Sequence, residues 1–254
     1  MTEIRTGRDD GILTLTFGDP KRSNAMTWDA ARGIARELAN LEADDHVVVL
    51  QSEGKTFCSG ADLELLEPLG VPERADDVRE HVYSAFQGLV RAVMDCPVPV
   101  IARLHGPALG AGADIALACD LRIASTAAWL EETWIGLGAI SALAGAAHLI
   151  RSVGPGTAMD LLLTARRLSA NEALTAHIYQ RVVEPEELDN VTNQVATAIA
   201  TADPLAVRSM KRLIREDPVM QGVDDALRIG LDLQVPLIAR EGFAERVAAI
   251  RKRH

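Results

Sequence analysis

Hydrophobic positions along the chain change period as the sequence proceeds. "ILTLTF" (Ile12 to Phe17) alternates apolar and polar residues after an Asp-Asp-Gly turn at Asp9 to Gly11, in a segment that begins at Ile4, which predicts a β-hairpin. From Thr27 to Leu41 apolar residues recur at helical spacing, with Thr27 placed as N-cap. A β-branched run (Val47 to Leu50), a Gly/Ser-rich loop (Ser52 to Gly60), a helical region (Asp76 to Met94) and a short apolar strand (Val98 to Ala102) follow. The loop "HGPALG" (His105 to Gly110) leads into "AGADIALACD", whose alanine content predicts a helix, and "LRIAS" behind it reads as a strand. From Gly154 onward the pattern is helical: "AMDLLLTA", "SANEALTAH", Leu188 to Ala202, Pro204 to Arg215 and Val223 to Arg240. An α/β core followed by a helical C-terminal part is expected, with no Ser/Pro-rich linker, fixed-period repeat or low-complexity tract.

Composition narrows the classes. The chain has 254 residues, 48% of them hydrophobic, enough for a large core and too many for a disordered protein. The longest uncharged stretch, Thr133 to Ala147, is shorter than the roughly 18 residues of a membrane span, so no membrane partner is expected. The N-terminus, MTEIRTGRDD, has neither the basic start and apolar core of a secretory signal nor the character of a transit peptide, which predicts a cytoplasmic protein. Cys58, Cys96 and Cys119 lack CxxC spacing and read as reduced core thiols; no His spacing suggests a metal. A net charge of -10 argues against nucleic acid as a partner, though a local basic cluster can still hold an anionic ligand.

Two glycine-rich places carry the candidate chemistry. "FCSGAD" (Phe57 to Asp62) and "LGAGAD" (Leu109 to Asp114) each put small residues between a strand and a predicted helix, where backbone N–H groups stay unpaired. Small side chains let a ligand oxygen approach those N–H groups, and each such donor can contribute about 3 kcal/mol in a transition state. A helix starting near Gly110 or Ala111 sets Asp114 one turn along, on the same face, as a proton carrier beside the anion site. Gly/Ala runs also allow close helix packing, and an aspartate near a helix start is favourable in any case. Neither loop matches a phosphate-binding GxxxxGK[ST] or GxGxxG pattern.

"PKRSNAMT" (Pro20 to Thr27), "GKTFCSGADL" (Gly54 to Leu63), "PVPVIARLHGPALGAGADIALACDLRIAS" (Pro97 to Ser125) and "RRLSANEALTAHIYQRVV" (Arg166 to Val183) resemble the enoyl-CoA hydratase/isomerase, or crotonase, superfamily in order and spacing. The resemblance implies an α/β fold, a crotonase-like spiral of ββα units over residues 1–195, with a helical C-terminal oligomerisation region over 196–254 that forms a homotrimer or a dimer of trimers. It implies an acyl-CoA thioester substrate, coenzyme A entering as part of that substrate and no separate cofactor. Matched residue by residue, the enolate oxygen would be held by the N–H groups of Ala61 and Ala111. Lys21 and Arg22 would run along the CoA pantetheine and phosphates, with Ser59, Gly60, Asp62 and Gly110 around the thioester; Trp134 reads as a wall of the acyl pocket or as plain core packing. Asp62 is also a natural helix cap.

The hydratases of that superfamily hold a water between two glutamates. Asp114 stands at the first position, one methylene shorter; an ungapped count puts Trp134 at the second, and an indole donates only through its N–H. Glu132 is the candidate replacement: in an extended segment it would share a side with Trp134, and "EET" resembles a stretch of the family's enoyl-CoA isomerases after a two-residue shift. Three readings stay open: a 2-enoyl-CoA hydratase in which Glu132 or a Trp-shaped water site supplies the missing carboxylate, an isomerase or decarboxylase with a single proton carrier, and a non-catalytic acyl-CoA binder. His105 reads as structural, and Cys58 lacks a histidine partner to make it a nucleophile.

Overall fold

The computed structural model describes residues 3–215, 222–239 and 242–252; Arg240 at the end of the last predicted helix, and Arg253 and His254 at the C-terminus, lie outside them. β1 (Glu3–Asp9) and β2 (Ile12–Gly18) form the antiparallel hairpin, turning through Asp10 and Gly11 at φ 44 and 81. α1 (Trp28–Ala39) is capped by Thr27, whose Oγ1 accepts from the Ala30 N–H at 3.1 Å, and buries Ala30, Ala31, Ile34 and Leu38. β3 (Val47–Ser52), α2 (Leu63–Leu66), α3 (Ala75–His81), α4 (Gly88–Asp95), β4 (Val100–Leu104), β5 (Ala108–Leu109), α5 (Ala111–Ala118), β6 (Leu121–Ser125) and β7 (Trp129–Glu131) complete the first half. Then come α6 (Gly145–Thr164), β8 (Leu168–Ser169), α7 (Ala170–Thr175), β9 (Arg181–Val183), α8 (Leu188–Ala200), α9 (Pro204–Arg215), α10 (Gly222–Ile238) and α11 (Phe243–Arg251).

Six strands form one sheet in the order β1-β2-β3-β4-β6-β9, parallel beyond the first pair, and β5-β7-β8 form a second. Val47, Val49, Ile101 and Ile123 on one face of the large sheet pack on Leu188, Ala196 and Ala200 of α8. Leu13, Leu15, Val48, Leu50 and Ala102 on the other face join the main core with α1, α4 and α5. This is the crotonase-type α/β fold that the resemblance implied.

Some local expectations change. β8 and β9 lie in the stretch expected to be wholly helical; at two and three residues they are too short to show a period of their own. The helical region Asp76 to Met94 holds a wide π turn, Val82–Gln87, between α3 and α4. Helix α6 begins at Gly145, before Gly154, where φ 75 followed by Pro155 kinks it instead.

Helix α5 carries the site. All eight of its residues are buried. Its Ala and Gly side chains let neighbours close in on every side: a Cβ on Gly112 would stand 2.6 Å from the Cys58 carbonyl oxygen.

Candidate active site

Two backbone amides are left over where the glycine loops meet. Met26 and Ala61 form an isolated parallel bridge in which the Met26 N–H donates to Gly60 O at 2.7 Å and the Asp62 N–H to Met26 O at 2.9 Å, so the Ala61 N–H points away from it. In the second loop the Leu109 N–H donates to Cys58 O and the Gly110 N–H to Glu131 O, both at 2.9 Å. Ala111, the first residue of α5, has no intrahelical acceptor for its N–H. Among the described residues neither the Ala61 nor the Ala111 amide has a backbone partner outside regular elements. The loops touch at Gly60: at φ +102 its conformation favours glycine, and a Cβ there would lie 3.1 Å from Leu109 O and 3.8 Å from the Ala111 nitrogen.

Beside them two carboxylates meet. Asp114 is fully buried on α5. The Ser141 hydroxyl donates to its Oδ1 at 2.7 Å and the Trp134 indole N–H to its Oδ2 at 3.0 Å. Burial pushes the Asp114 pKa up to about 7, while those donors and the Gly145 N–H pull against it. Glu132 is 2% exposed, and neither carboxylate oxygen has a hydrogen-bond partner among the described residues. Burial first, and the Asp114 charge second, raise its pKa well above the ordinary range. Gly145 makes the approach possible: a Cβ there would stand 2.7 Å from Glu132 Oε1, 3.1 Å from Asp114 Cγ, and nearer still to Asp114 Oδ1.

Glu132 and Trp134 reach Asp114 by a route other than strand alternation. β7 ends at Glu131, and Glu132 is the N-cap of a 3-10 helix, Thr133–Leu137, which carries Trp134 inward. Trp134 also lies against Gly110, whose φ of 47 favours glycine; a Cβ there would lie 3.9 Å from the indole nitrogen. Glu131 faces outward to Arg167, which stacks 4.2 Å over Trp129.

Ser141 was not singled out by the sequence patterns. It is the lone polar side chain between Ile135 and Ala147, which is the signal that could have found it. Its loop is fixed from below: Gln87 Nε2 donates to Ala142 O at 2.7 Å and to Leu227 O of α10 at 2.6 Å, and the Ile140 N–H donates to Gln234 Oε1 of α10 at 2.7 Å. The π turn places Gln87 there.

The remaining candidates are more dispersed. Lys21 and Arg22 sit in an exposed 3-10 turn capped by Asp19. Arg22 pairs with Asp62 at 3.0 Å and Glu64 at 2.7 Å. Asp62 caps α2 by accepting from the Glu64 N–H at 3.0 Å. Ser59 is tied through its N–H to Ser23 O at 3.1 Å. The three cysteines are free and buried, and burial pushes Cys58 and Cys119 up to about 12, which makes them poor nucleophiles. Burial and the nearby Arg103 lower the His105 pKa, keeping the ring neutral.

A sequence model described as enoyl-CoA hydratase/isomerase matches residues 7–248. The short-chain-enoyl-CoA hydratase of Clostridium acetobutylicum is 32% identical over 219 residues, covering 84% of this chain and 81% of that protein. The peroxisomal Delta(3,5)-Delta(2,4)-dienoyl-CoA isomerase of Arabidopsis thaliana is 32% identical over 234 residues, covering 87% and 84%. A Thermobifida fusca YX protein solved in complex with acetoacetyl-CoA superposes with a TM-score of 0.78 at 30% identity, over 89% of this chain and 93% of that one. With its glycine loops, its buried α5 and a match that runs almost end to end, the chain belongs to the enoyl-CoA hydratase/isomerase family.

Proposed function

We propose that this chain is an acyl-CoA enzyme that hydrates 2-enoyl-CoA thioesters, with Asp114 and Glu132 as its two proton carriers and the Ala61 and Ala111 amides as donors to the enolate oxygen. The observation that carries the reading is the convergence of two buried carboxylates at Gly145. A double-bond shift or a decarboxylation needs one proton carrier. Burying a second carboxyl group without a hydrogen-bond partner is costly, and a double-bond shift can run without it. Syn hydration uses both: one group takes a proton from water as its oxygen attacks Cβ, the other gives a proton to Cα, and the two amides hold the charge that passes through the thioester oxygen. Coenzyme A enters and leaves as part of the substrate, and no further cofactor is called for.

Lys21 and Arg22, exposed next to the first loop, are proposed to meet the CoA phosphates, with Ser59, Gly60, Asp62, Gly110 and Trp134 shaping the approach to the thioester. The helical C-terminal region is proposed to join copies into a homotrimer or a dimer of trimers. Large exposed apolar side chains support assembly: Met159 and Leu163 on α6, and Leu205, Met210 and Ile214 on α9. Among the described residues no helix is long and apolar enough to cross a membrane, and a cytoplasmic setting is proposed.

Loss of the enoyl absorbance of crotonyl-CoA in the presence of the purified full chain tests the reaction. Hydration that falls about 100- to 10,000-fold in both Asp114→Asn and Glu132→Gln is expected. Turnover of a 3-enoyl-CoA without hydration, or full activity in Glu132→Gln, overturns the two-carboxylate reading.

A further inference from the structure

We infer that Trp134 and Ser141 are positioning residues that decide which member of the carboxylate pair carries the proton, holding Asp114 as the anion and leaving Glu132 as the acid. The inference rests on the hydratase reading of the pair and assigns direction within it.

Two carboxylates that meet away from water do not both ionise; they share a proton, and its location follows the surrounding donors. The donors are one-sided. Ser141 Oγ–H at 2.7 Å and Trp134 Nε1–H at 3.0 Å each serve a different oxygen of Asp114. The Gly145 N–H, 3.3 Å from Ser141 Oγ, also contributes to the anion. Both Glu132 oxygens lack a partner among the described residues. Hydrogen bonds to a charged acceptor are about twice as strong as neutral ones, so this arrangement favours Asp114 as the ion. The indole N–H cannot accept, so Trp134 acts on Asp114 in this one direction. Glu132 is the titratable group that faces Asp114. The other residues of α5 are apolar, and α6 and the 3-10 helix present Gly145 and Trp134.

The chemistry then has an order. Water loses a proton to the Asp114 carboxylate as its oxygen bonds to Cβ, and the Glu132 carboxyl gives its proton to Cα as the enolate collapses. The pair is left with its proton on Asp114 and its charge on Glu132, which the donors disfavour. Return of the proton from Asp114 to Glu132 resets the site without a group from outside.

The test uses the full chain and two readouts. One is the pH profile of kcat for hydration. The other is a carboxyl-carbon NMR titration of the substrate-free protein, which stays readable if no hydration is found and so separates failure of this inference from failure of the hydratase reading. Trp134→Phe and Ser141→Ala are each expected to raise the Asp114 midpoint by about one pH unit or more, the scale of one lost charge-assisted hydrogen bond. Ser141→Thr, which keeps the hydroxyl, restores it. A carboxyl signal that keeps its proton to higher pH than Asp114 is expected to vanish in Glu132→Gln and persist in Asp114→Asn. Midpoints unmoved in both donor variants while only thermal stability falls, or an Asp114 that keeps its proton to higher pH than Glu132, overturn the inference.

Discussion

Gly145→Ala adds a single methyl group at the point where the carboxylates converge. The new Cβ would stand 2.7 Å from Glu132 Oε1 and 3.1 Å from Asp114 Cγ, and closer to Asp114 Oδ1, where real Cβ atoms keep beyond 3.0 Å. Gly145 opens the 20-residue helix α6, so backbone retreat is resisted and the side chains must give way. Alanine suits a helix better than glycine by about 1 kcal/mol, whereas overpacking a filled site costs about 1 to 3 kcal/mol. The net loss of stability is then at most about 2 kcal/mol, a fall in Tm of roughly 4 to 8 °C at about 2 to 4 °C per kcal/mol in a chain of this size. Activity suffers more. Moving Asp114 Oδ1 aside breaks its 2.7 Å bond to Ser141 and displaces both proton carriers, and a displacement of about 1 Å can cost about 100-fold in rate. Steady-state hydration of crotonyl-CoA and thermal unfolding, measured on the same preparation, give the two numbers. Gly112→Ala is the control: its Cβ would strike the Cys58 carbonyl oxygen at 2.6 Å, so it should lose stability by a backbone clash. A Gly145→Ala protein that hydrates at nearly the parent rate would mean that the carboxylates do not meet where the methyl goes.

The rate of hydration should fall as the pH drops below about 7, where Asp114 takes up the proton that disables it as a base; a rate indifferent to pH between 5 and 8 would contradict that role. Stability moves the other way. Asp114 stays protonated in the fold up to about pH 7 but ionises from about 3.8 in the unfolded chain, so its contribution is complete at low pH and is lost as pH rises through that window. The slope is about 1.4 kcal/mol per pH unit for each such group, and Glu132 adds to it in the same direction. Denaturant melts of Asp114→Asn/Glu132→Gln should be flatter than the parent over that range, and equal slopes would count against burial of both carboxyls. Cys58 and Cys119, pushed up to about 12, should resist a thiol-alkylating reagent at pH 8 until the chain is unfolded, as read by mass spectrometry. Lys21→Ala should raise KM with little change in kcat if the side chain meets only the CoA end of the substrate.

The hairpin, α1 with its Thr27 cap, β3 and α5 were legible because each rests on a local signal: a turn with two positive-φ residues, a capping hydroxyl, a β-branched run, an alanine-rich stretch. The two glycine loops were legible for the same reason. Other elements depend on distant partners. β8 is two residues long and exists because Trp129 and Leu130 of β7 pair with it. Glu132 could be named from the sequence as a candidate, but its path to Asp114 could not: alternation assumed an extended segment, and a 3-10 turn replaces it. Gln87 and the loop that carries Ser141 are tied to α10, which lies far along the chain, so no local signal places them.

Trp134 is the departure that orders the rest. An indole where the family resemblance places a second glutamate removes one acid, yet its N–H lands on the acid that remains. Glu132, two residues earlier, supplies a carboxyl from the head of the same turn, and Gly145 clears the space between them. Replacing a buried polar pair with apolar groups of similar size is often neutral or stabilising, so packing gives no reason to keep two buried carboxylates together. That Glu132 has no hydrogen-bond partner among the described residues makes the point sharper, since donors could have been built around it as they are around Asp114. That asymmetry is costly for a scaffold. It is what a site needs when one carboxylate must accept a proton and its neighbour must have one ready to give.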